Sequence, residues 1–453
     1  MDFQKKRQSP QRLSGADGAQ FHIHQAEQIR ICDRFLLGNC VEGAGCPLHH
    51  TRYPYHWQLR RSDNKAWQNL SDSAQRHLEN LYCNVTKSHA HFLDNNNSSG
   101  KLALTSLEVI TSETYDKVRR LSNTCDSQQN PYFPTQWSVF WENGNKWIKY
   151  EEPIFSDLLS AFEEDKEFYN FEFRGKHYGV DLKKFVQCNV EQGYIRHIQR
   201  RPSCRSFLTM VPYLQTISSK GMTASYPTDD ILGEDPMDGY HGPYPAAWIP
   251  KPTIDQAFLQ MEVVPSEAAY RSICVLFHQS LPEDEILVLT IYRIRNDDLW
   301  QRYANRKKFM SWGRTKLEKQ HLEKHLFFGT SARNVESICK TNFSQLLPKQ
   351  HSHIFGQGIY FSLRADYSHR YSHPEKGGMR CMFLAKVLVG KTVAGRAHYR
   401  RPPEQEPGGQ LYDSCVNSVT KPQVYVVFDN FQCYPYFLIH YKLLSDPVVL
   451  YSS

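Results

Sequence analysis

The sequence lacks the features that mark membrane, secreted and disulfide-stapled proteins. It contains no run of about eighteen apolar residues, so we expect no transmembrane helix. Its start, MDFQKKRQSPQRLSG, is polar and has no apolar h-region, so we expect no signal peptide. Twelve cysteines are scattered without a disulfide-like spacing, which is typical of a reducing compartment. The net charge of +7 is mild and permits contact with a polyanion without requiring it.

The length predicts several domains. A chain of 453 residues is too long for one hydrophobic core, so we expect roughly two to four domains. Residues 1–27 are polar and include Lys5, Lys6 and Arg12, which predicts a disordered tail, with a nuclear address as the alternative. Residues 205–245 are rich in Gly, Pro and Asp and predict a linker.

A short stretch rich in cysteine and histidine follows the tail. Within residues 28–52, ICDRFLLGNCVEGAGCPLHH has the spacing C-x7-C-x5-C-x3-H, formed by Cys32, Cys40, Cys46 and His50. Three thiolates and one imidazole satisfy a tetrahedral Zn²⁺ ion, and so short a stretch cannot otherwise bury enough apolar surface to stay folded. The spacing therefore predicts a structural zinc site, with His49 as the alternative to His50.

This spacing resembles the CCCH zinc-finger family. Members of that family bind single-stranded RNA by stacking bases on exposed aromatic side chains. The resemblance therefore implies RNA binding, with Phe35 and Tyr53 as candidate stacking residues. A zinc site that only anchors the neighbouring domain is the alternative, because a lone finger makes few base contacts.

Two pairs of tryptophans form an internal repeat. Nine residues separate Trp57 from Trp67, and nine separate Trp137 from Trp147. A polar turn containing Asn interrupts each pair, which predicts a hairpin that carries packing tryptophans. An amphipathic segment follows each hairpin, SAQRHLENLY in one case and FSDLLSAFEE in the other. We therefore expect each copy to be a half-wound sheet crossed by one helix.

The two copies, residues 53–125 (the first copy) and 126–204 (the second copy), resemble tandem WWE domains. That family recognises ADP-ribose units in poly(ADP-ribose). In the second copy the resemblance implies an ADP-ribose site formed by Trp147, Tyr150, Tyr178, Gln187 and Arg196. Aromatic faces suit adenine, an amide suits polar edges and a guanidinium suits phosphate. The first copy lacks an evident equivalent and passes after Tyr82 into the polar FLDNNNSSGKL, so we expect it to be structural.

Two glycine corners mark the segment from His325 to His373. An apolar run, HLFFGT, ends at Gly329 and leads into the helix-like SARNVESICK. The second corner, Gly356-Gln-Gly358, leads into the strand-like IYFS and a helical segment over residues 366–371. Glycine lets a ligand or another backbone come close because it has no Cβ, so both corners are candidate contacts.

These two corners resemble the NAD⁺-binding core of the poly(ADP-ribose) polymerase family. The resemblance implies an ADP-ribosyltransferase domain over residues 246–446. Its cofactor-binding set would be Gly329, Thr330, Tyr360, Ser368 and Tyr371. In this set the backbone of Gly329 holds the carboxamide of nicotinamide, helped by the Ser368 hydroxyl, and Tyr360 and Tyr371 enclose the ring.

The sequence departs from the catalytic His, Tyr and Glu triad of that family. Phe328 stands at the histidine position, Tyr360 is kept, and Val424 stands at the glutamate position. A carboxylate would stabilise the positive charge of the oxocarbenium-like transition state, which Val424 cannot do. Losing a hydrogen bond from the imidazole to ribose costs roughly 1 to 3 kcal/mol. The resemblance therefore implies reduced activity and transfer of single ADP-ribose units at most.

The expected fold class is α+β with several domains. It comprises a small CCCH zinc finger, two WWE half-barrels of a sheet and one helix, and a C-terminal ADP-ribosyltransferase domain with a split antiparallel sheet. Within the last domain, EILVLTIYRI predicts a buried strand, and DDLWQRYANRKKFMSW predicts a helix with Leu299, Tyr303 and Phe309 on or near one face.

Three functions fit this reading. The first is an NAD⁺-dependent protein mono-ADP-ribosyltransferase of reduced activity, and the second is a catalytically inactive scaffold that reads ADP-ribose and binds RNA. The third is a scaffold for protein contacts only. The implied partners are NAD⁺, ADP-ribose or poly(ADP-ribose), single-stranded RNA and acceptor proteins including the chain itself, with no membrane. The family implies a nuclear location, with the cytoplasm as the alternative.

Overall fold

The computed structural model describes residues 11–13, 21–26, 29–217, 257–344 and 353–451. The chain divides into two compact units: unit 1 is Met1–Ala224 with Pro447–Ser453, and unit 2 is Ser225–Asp446. Among the described residues, no helix is long and apolar enough to cross a bilayer. Most of the predicted linker falls outside the described residues.

Residues 21–26 correct the prediction of a disordered tail over residues 1–27. Strand β1 (Gln11–Leu13) pairs antiparallel with β2 (Phe21–Ile23). His22 exchanges backbone hydrogen bonds with His50, and both His22 and Ile23 are buried. Strand β2 is therefore part of the finger, whose other regular elements are α1 (Asp33–Leu36) and a 3-10 turn at Gly43–Gly45.

The first copy is a six-stranded antiparallel sheet crossed by one helix. Its elements are β3 (Tyr55–Arg61), β4 (Trp67–Asn69), α2 (Asp72–Cys83), β5 (His89–Leu93), β6 (Ser99–Ala103), β7 (Glu108–Thr111) and β8 (Tyr115–Ser122). The strand order is β4-β3-β8-β7-β6-β5. Ser71 caps α2 by accepting a hydrogen bond from the Ala74 amide. The polar segment FLDNNNSSGKL forms the β5–β6 hairpin, so regular secondary structure continues after Tyr82.

The second copy repeats this architecture. Its elements are β9 (Trp137–Asn143), β10 (Lys146–Lys149), α3 (Ile154–Glu163), β11 (Phe168–Phe173), β12 (Lys176–Asp181), β13 (Val186–Asn189) and β14 (Ile195–Pro202). The order β10-β9-β14-β13-β12-β11 is that of the first copy, element for element. Leu158 and Ala161 of α3 pack on Val139, Val180 and Ile198 of the sheet. A short helix, α4 (Phe207–Met210), follows.

Unit 2 contains a nine-stranded sheet. Its strands are β15 (Leu259–Glu262), β16 (Ile286–Arg295), β17 (Glu323–Thr330), β18 (Ile359–Ser362), β19 (Arg380–Leu388), β20 (Thr392–Ala394), β21 (Ser414–Val416), β22 (Val424–Val427) and β23 (Cys433–Leu443). The order is β15-β16-β23-β19-β17-β18-β22-β21-β20, antiparallel except for β20–β21. Strands β17 and β18 are joined through the single pair Phe327–Ser362, so the sheet opens between them.

Within residues 257–344 and 353–446 five α-helices accompany this sheet: α5 (Ala268–His278), α6 (Asp297–Ser311), α7 (Lys316–Gln320), α8 (Val335–Thr341) and α9 (Ala365–His369). The predicted helix α6 is present and is capped by Asn296. Leu299 and Tyr303 are buried, but Phe309 is 70 % exposed and does not share their face. Phe309 follows Leu299 by ten positions, which places it roughly 80° around the helix axis.

Unit 1 gains one strand from residues that follow unit 2. Strand β24 (Val448–Val449) pairs parallel with β5, with Val448 opposite Phe92. Leu450 donates its amide to the carbonyl of Leu93 and accepts from the amide of Ser71, and its side chain is fully buried. The chain therefore returns to the first copy after it has completed unit 2.

Candidate functional site

The predicted zinc ligands meet in unit 1. The ligand atoms of Cys32, Cys40, Cys46 and His50 all lie within 4.8 Å of one another, so this cluster can hold a metal ion. Burial, together with the nearby Cys46 and Cys40 sulfurs, raises the pKa of the Cys32 thiol to about 12, so the three thiolates need a cation to coexist. Cys₃His is a ligand set of structural zinc sites. The alternative ligand His49 instead accepts the amide of His24 at Nδ1.

The two candidate base-stacking residues differ in exposure. Tyr53 is 4 % exposed and stacks on Tyr55, with 5.5 Å between ring centroids, so it cannot receive a base. Phe35 is half-buried and stacks on His50 at 4.0 Å between centroids. The RNA-stacking assignment of Tyr53 is therefore wrong, and RNA binding through Phe35 stays a prediction.

Three of the predicted ADP-ribose contacts share one face of the second copy. Gln187 on β13 lies opposite Arg196 on β14 and opposite Val180 on β12. Tyr178 is two positions from Val180, and residues two apart in a strand project to the same side. Because Val180 belongs to the core under α3, this is the inner face of the sheet.

Tyr150 joins this face from the end of β10. Its hydroxyl donates a hydrogen bond to Oε1 of Gln187, and both side chains are buried. Burial raises the pKa of Tyr150, so the phenol keeps its proton and remains a donor. Buried polar groups that are aimed at one another form a rigid pair, and their remaining capacity is available to a ligand.

Arg196 and Tyr178 complete the group. The Arg196 guanidinium lies 4.7 Å from the centroid of Trp141, and the Tyr178 ring stacks on Phe171 at 5.2 Å. Trp147 is three positions before Tyr150 in an extended segment, so it projects to the opposite side of the sheet. The structure therefore brings four of the five predicted residues together and leaves Trp147 apart.

The first copy carries apolar residues at the matching positions. Leu104 and Leu182 make the same backbone contact in the two copies, with the carbonyls of Ser88 and Glu167, which sets the correspondence. The strand register then makes Gly100 structurally equivalent to Tyr178, and Val109 equivalent to Gln187. The third residue after the second tryptophan is Leu70, where the second copy has Tyr150.

Phe92 fills the place of Tyr178 in the first copy. A Cβ built on Gly100 would lie 2.0 Å from the Phe92 ring, so the ring rests directly on the Gly100 backbone. Phe92 is buried and meets Tyr115 edge-on at 6.2 Å. The inner face of the first copy is therefore packed with its own side chains where the second copy presents polar groups.

In unit 2, Gly329 marks a close approach of two backbones. A Cβ at Gly329 would lie 1.8 Å from the carbonyl oxygen of Ser368, so only glycine fits. The Ser368 hydroxyl donates to the carbonyl of Phe327 at 3.0 Å. The hydroxyl of the buried Thr330 accepts a hydrogen bond from the side-chain amide of Asn334 at 3.2 Å. The three predicted residues Gly329, Thr330 and Ser368 are thus at the junction of β17 and α9.

Tyr360 and Val424 lie on one face of the β18–β22 pair. Tyr360 is opposite Val426, and Val424, two positions away, joins the same apolar cluster. The Tyr360 hydroxyl donates to the carbonyl of Gly356 at 2.8 Å and accepts from the amide of Phe355 at 3.0 Å. Phe355 packs against this cluster, so the tyrosine is engaged by the turn that precedes its own strand.

Phe328 is separated from Tyr360 and Val424. It packs with the core that includes Phe361 and Phe343, at centroid distances of 5.6 Å and 4.8 Å. Phe361 alternates with Tyr360 along β18 and projects to the opposite face. The structure therefore does not bring the three triad positions into one group.

Tyr371 is close enough to Tyr360 for the two side chains to interact electrostatically, and their role in binding nicotinamide stays a prediction. Burial raises the pKa of Tyr360, and the neighbouring Tyr371 hydroxyl adds to the shift. Tyr367 is a third member that the sequence reasoning missed: its ring is 5.9 Å from that of Tyr371. Burial, and then Tyr371, raise the pKa of Tyr367 to about 12. The four-residue spacing of Tyr367 and Tyr371 was a usable signal, since such residues are neighbours on a helix.

Comparison with known proteins agrees with this geometry. Residues 270–443 match the family model of the poly(ADP-ribose) polymerase catalytic domain, and residues 135–200 match that of the WWE domain. The first range contains Gly329, Tyr360 and Val424, and the second contains Tyr150 and Gln187.

Similar relatives carry related names. Protein mono-ADP-ribosyltransferase PARP12 from Homo sapiens is 30 % identical over 94 % of this chain and 60 % of its own length. The protein of that name from Mus musculus is 29 % identical over 93 % of this chain and 58 % of its own length. Protein mono-ADP-ribosyltransferase PARP11 from Homo sapiens is 34 % identical over 38 % of this chain and 56 % of its own length. This chain thus spans less than two thirds of each of these relatives.

The domain matches, the Cys₃His cluster and the strand orders agree with the family resemblance seen in the sequence. The resemblance is therefore confirmed: the chain carries the catalytic domain of the poly(ADP-ribose) polymerase family together with a WWE domain.

Proposed function

We propose that this chain is an ADP-ribose reader, that the second copy holds the ADP-ribose unit, and that the catalytic domain has little or no transfer activity. The observation that carries the proposal is the buried hydrogen bond from Tyr150 to Gln187, on the face that also presents Tyr178 and Arg196. Together these side chains offer an aromatic face, an amide and a guanidinium to one ligand.

Each group matches one part of an ADP-ribose unit. The Tyr178 ring offers a flat face to adenine. The Gln187 amide still has its NH₂ group, because Tyr150 uses its oxygen, so it can donate to a ring nitrogen or a hydroxyl. The Arg196 guanidinium is stacked on Trp141 and can pair with a phosphate.

The catalytic domain lacks the groups that transfer would use. Val424 is 3 % exposed among apolar neighbours, so no carboxylate faces Tyr360 from that position. Phe328 is packed against two phenylalanines and offers no hydrogen bond to ribose. Each lost hydrogen bond to a polar ligand costs about 1 to 3 kcal/mol, or roughly 5-fold to 150-fold in affinity.

Calorimetry of the full chain with iso-ADP-ribose tests the reader function. Gln187→Ala removes the amide and is expected to weaken binding at least about tenfold, since it also leaves the buried Tyr150 hydroxyl without its acceptor. The matched control is Val109→Ala, at the corresponding position of the first copy, which is expected to leave the affinity unchanged. Undiminished binding by the Gln187 variant would contradict the proposal.

A second candidate, a mono-ADP-ribosyltransferase of reduced activity, is favoured by the nicotinamide side of the pocket. Gly329 keeps its close approach to Ser368, and Tyr371 lies near Tyr360, so the residues that would hold the carboxamide and the ring of NAD⁺ are present. The relatives named above are mono-ADP-ribosyltransferases. Transfer would then proceed without stabilisation by a carboxylate.

Labelled NAD⁺ separates the two candidates. The second predicts slow self-labelling by the full chain and no gain in Phe328→His, because position 328 lies on the face of β17 that packs on Phe343 and Phe361, opposite to Tyr360. The thermal midpoint of this variant is measured alongside, since it also disrupts the packing of Phe328 on Phe343. No labelling by either folded protein, at any concentration, would eliminate the second candidate and leave the reader function standing.

A further inference from the structure

Two cysteines of unit 1 meet outside the sites described above. Cys83 is the last residue of α2 in the first copy, and Cys204 follows β14, the last strand of the second copy. The Cys83 sulfur lies 3.8 Å from Oε1 of Glu79, and the Cys204 sulfur lies 3.9 Å from Oδ1 of Asn80. Asn80 and Cys83 are three residues apart and hence adjacent on the helix surface. The two thiols therefore lie close together at the C-terminal end of α2.

The two thiols have different surroundings. Cys204 is exposed, whereas Cys83 is half-buried. The hydrogen bond with Cys204, followed by burial and the Glu79 carboxylate, raises the pKa of Cys83 well above its usual value. Cys83 therefore stays protonated and donates to the Glu79 carboxylate. Because Cys204 is the exposed member of the pair, it is the thiol that an oxidant in solution reaches first.

Cationic side chains face the same pair. The Arg120 guanidinium opposes the upward shift of the Cys83 pKa, whereas burial lowers the pKa of Arg201 and the Tyr82 and Cys83 side chains offset part of that shift. Arg201 lies 4.7 Å from the ring centroid of Tyr82, the residue before Cys83. These positive charges offset part of the effect of the Glu79 carboxylate on the Cys83 thiol.

The other cysteines lack this combination. Cys32, Cys40 and Cys46 belong to the metal cluster, and the five cysteines of unit 2 are buried: Cys274, Cys339, Cys381, Cys415 and Cys433. Buried thiols in apolar surroundings are inert. An exposed thiol with a second thiol in contact is the arrangement of redox-sensitive cysteine pairs.

We propose that Cys83 and Cys204 form a reversible disulfide that links the first copy covalently to the end of the second. With hydrogen peroxide as the oxidant, the Cys204 thiolate attacks one peroxide oxygen, the O–O bond breaks, and hydroxide leaves and takes up a proton to become water. Cys204 is then a sulfenic acid. The Cys83 sulfur attacks it, the S–O bond breaks, and the departing hydroxide leaves as water with the Cys83 proton. Two thiols are oxidised, and one peroxide is reduced to two waters.

The bond would enclose the whole second copy within one covalent loop. Residues 84 to 203 lie between the two cysteines, and a disulfide that closes a long loop restricts the unfolded chain strongly. Oxidation is therefore expected to raise the thermal midpoint of unit 1, and a dithiol reductant is expected to reverse the shift. This property is independent of ligand binding by the second copy.

Peptide mapping of the oxidised full chain tests the proposal. The zinc-loaded protein is treated with hydrogen peroxide, its remaining thiols are alkylated, and it is digested without reduction. The expected product is a cross-linked pair of peptides that contain Cys83 and Cys204, which dithiothreitol separates. Cys83→Ser and Cys204→Ser are expected to lose this product, and Cys125→Ser, the matched control at the other exposed cysteine, is expected to retain it.

The variants also test the order of the two steps. In Cys83→Ser the Cys204 sulfenic acid has no resolving thiol, so a sulfenic-acid probe is expected to label Cys204 more strongly than in the unmodified chain. Cross-linking of either cysteine to a third residue would overturn the proposal. Oxidation of Cys204 beyond the sulfenic acid, with Cys83 remaining a thiol that the alkylating reagent modifies, would also overturn the proposal.

Discussion

The first and second copies share one strand order but use their inner faces differently. In the second copy Tyr150, Gln187 and Arg196 place polar groups on the inner face. In the first copy Phe92 lies on Gly100 and closes the corresponding space. The comparison teaches that the half-barrel does not fix the character of its inner face, because a few inward side chains decide whether that face is polar or apolar.

The copies also differ in where they bury charge. In the first copy the Glu79 carboxylate accepts from Nε1 of Trp57 at 3.0 Å and from both Nε and Nη2 of Arg120, at 2.8 Å and 2.7 Å. These hydrogen bonds satisfy the carboxylate internally. Polar groups whose partners are all supplied by the protein stabilise the fold, whereas those with spare capacity can serve a ligand.

The two edge strands make a third contrast. Strand β5 of the first copy is covered by β24 in parallel, with Leu450 buried against the sheet. Strand β11, at the same end of the second copy, carries Phe168, which is 60 % exposed. The outer edge of the first copy is therefore covered by another strand, whereas the corresponding edge of the second copy carries an exposed aromatic side chain.

Metal removal is expected to have the largest effect, and to fall on the first copy. Structural zinc in finger peptides contributes about 10 kcal/mol or more of apparent binding free energy. The finger is tied to the first copy through Arg119, which donates to the carbonyl of Ala26, and through Asp33, which accepts from Asn123. After chelation, hydrogen exchange is expected to accelerate in the finger and β8 while β12 stays protected. Equal loss of hydrogen-exchange protection in both copies would contradict the expectation that metal removal destabilises the first copy selectively.

Arg120→Ala is expected to come next. It leaves the Glu79 carboxylate buried without its cation, which typically costs about 3 to 5 kcal/mol. Urea denaturation of the full chain measures the free energy of unfolding of unit 1. The matched control is Arg60→Ala, whose partner Asp116 is 26 % exposed, and which is expected to cost at most about 1 kcal/mol. A similar cost for both would show that the buried pair adds nothing particular to the first copy.

Leu450→Ala tests the covered edge. It empties a fully buried site against β5 and is expected to destabilise unit 1 by about 2 to 5 kcal/mol. Phe168→Ala, on the corresponding edge of the second copy, is expected to be nearly neutral because that side chain is largely exposed. Protease sensitivity of residues 447–451, followed by mass spectrometry, reports the release of β24. A tightly held segment in Leu450→Ala would contradict the assigned role of this side chain.

Acid is expected to weaken the first copy by a smaller amount. Burial lowers the pKa of His56 from 6.5 to about 4, with Arg119 adding to the shift, so the folded state binds fewer protons than the unfolded state between these values. The stabilisation is therefore present above pH 6.5 and is lost as the pH falls toward 4, by about 2 kcal/mol between pH 7 and pH 5. The histidines of the second copy, His177 and His197, are exposed. His56→Gln is expected to remove this part of the pH dependence, and an unchanged pH profile would refute it.

Much of the architecture could be predicted because it follows from local patterns. Alternating apolar residues indicate the tryptophan hairpins and the strands of unit 2, and helical periodicity indicates α2 and α3. The Cys₃His spacing predicts the metal-binding cluster. Strand β24 could not be predicted, because its pairing with β5 joins residues that are more than 350 positions apart. Long-range pairing leaves no local signal.

The site residues were predictable only where a single residue type signals its surroundings, as glycine does at a close backbone contact. Gly329 lies against Ser368 because β17 and α9 pack closely, and the glycine in the sequence indicates that close packing. Tyr53 was misassigned, because exposure depends on Tyr55 and Phe207 packing around it, which no spacing reveals. Phe328 and Tyr360 were expected together, but strand alternation across the β17–β18 opening directs them to opposite faces.

The stoichiometry of ADP-ribose binding tests the central contrast most directly. Isothermal titration of the full chain with iso-ADP-ribose is expected to give one site per chain, and Gln187→Ala is expected to remove it. Two equivalent sites, or one site that survives in Gln187→Ala, would show that the first copy binds the ligand and that its packed inner face has been misinterpreted.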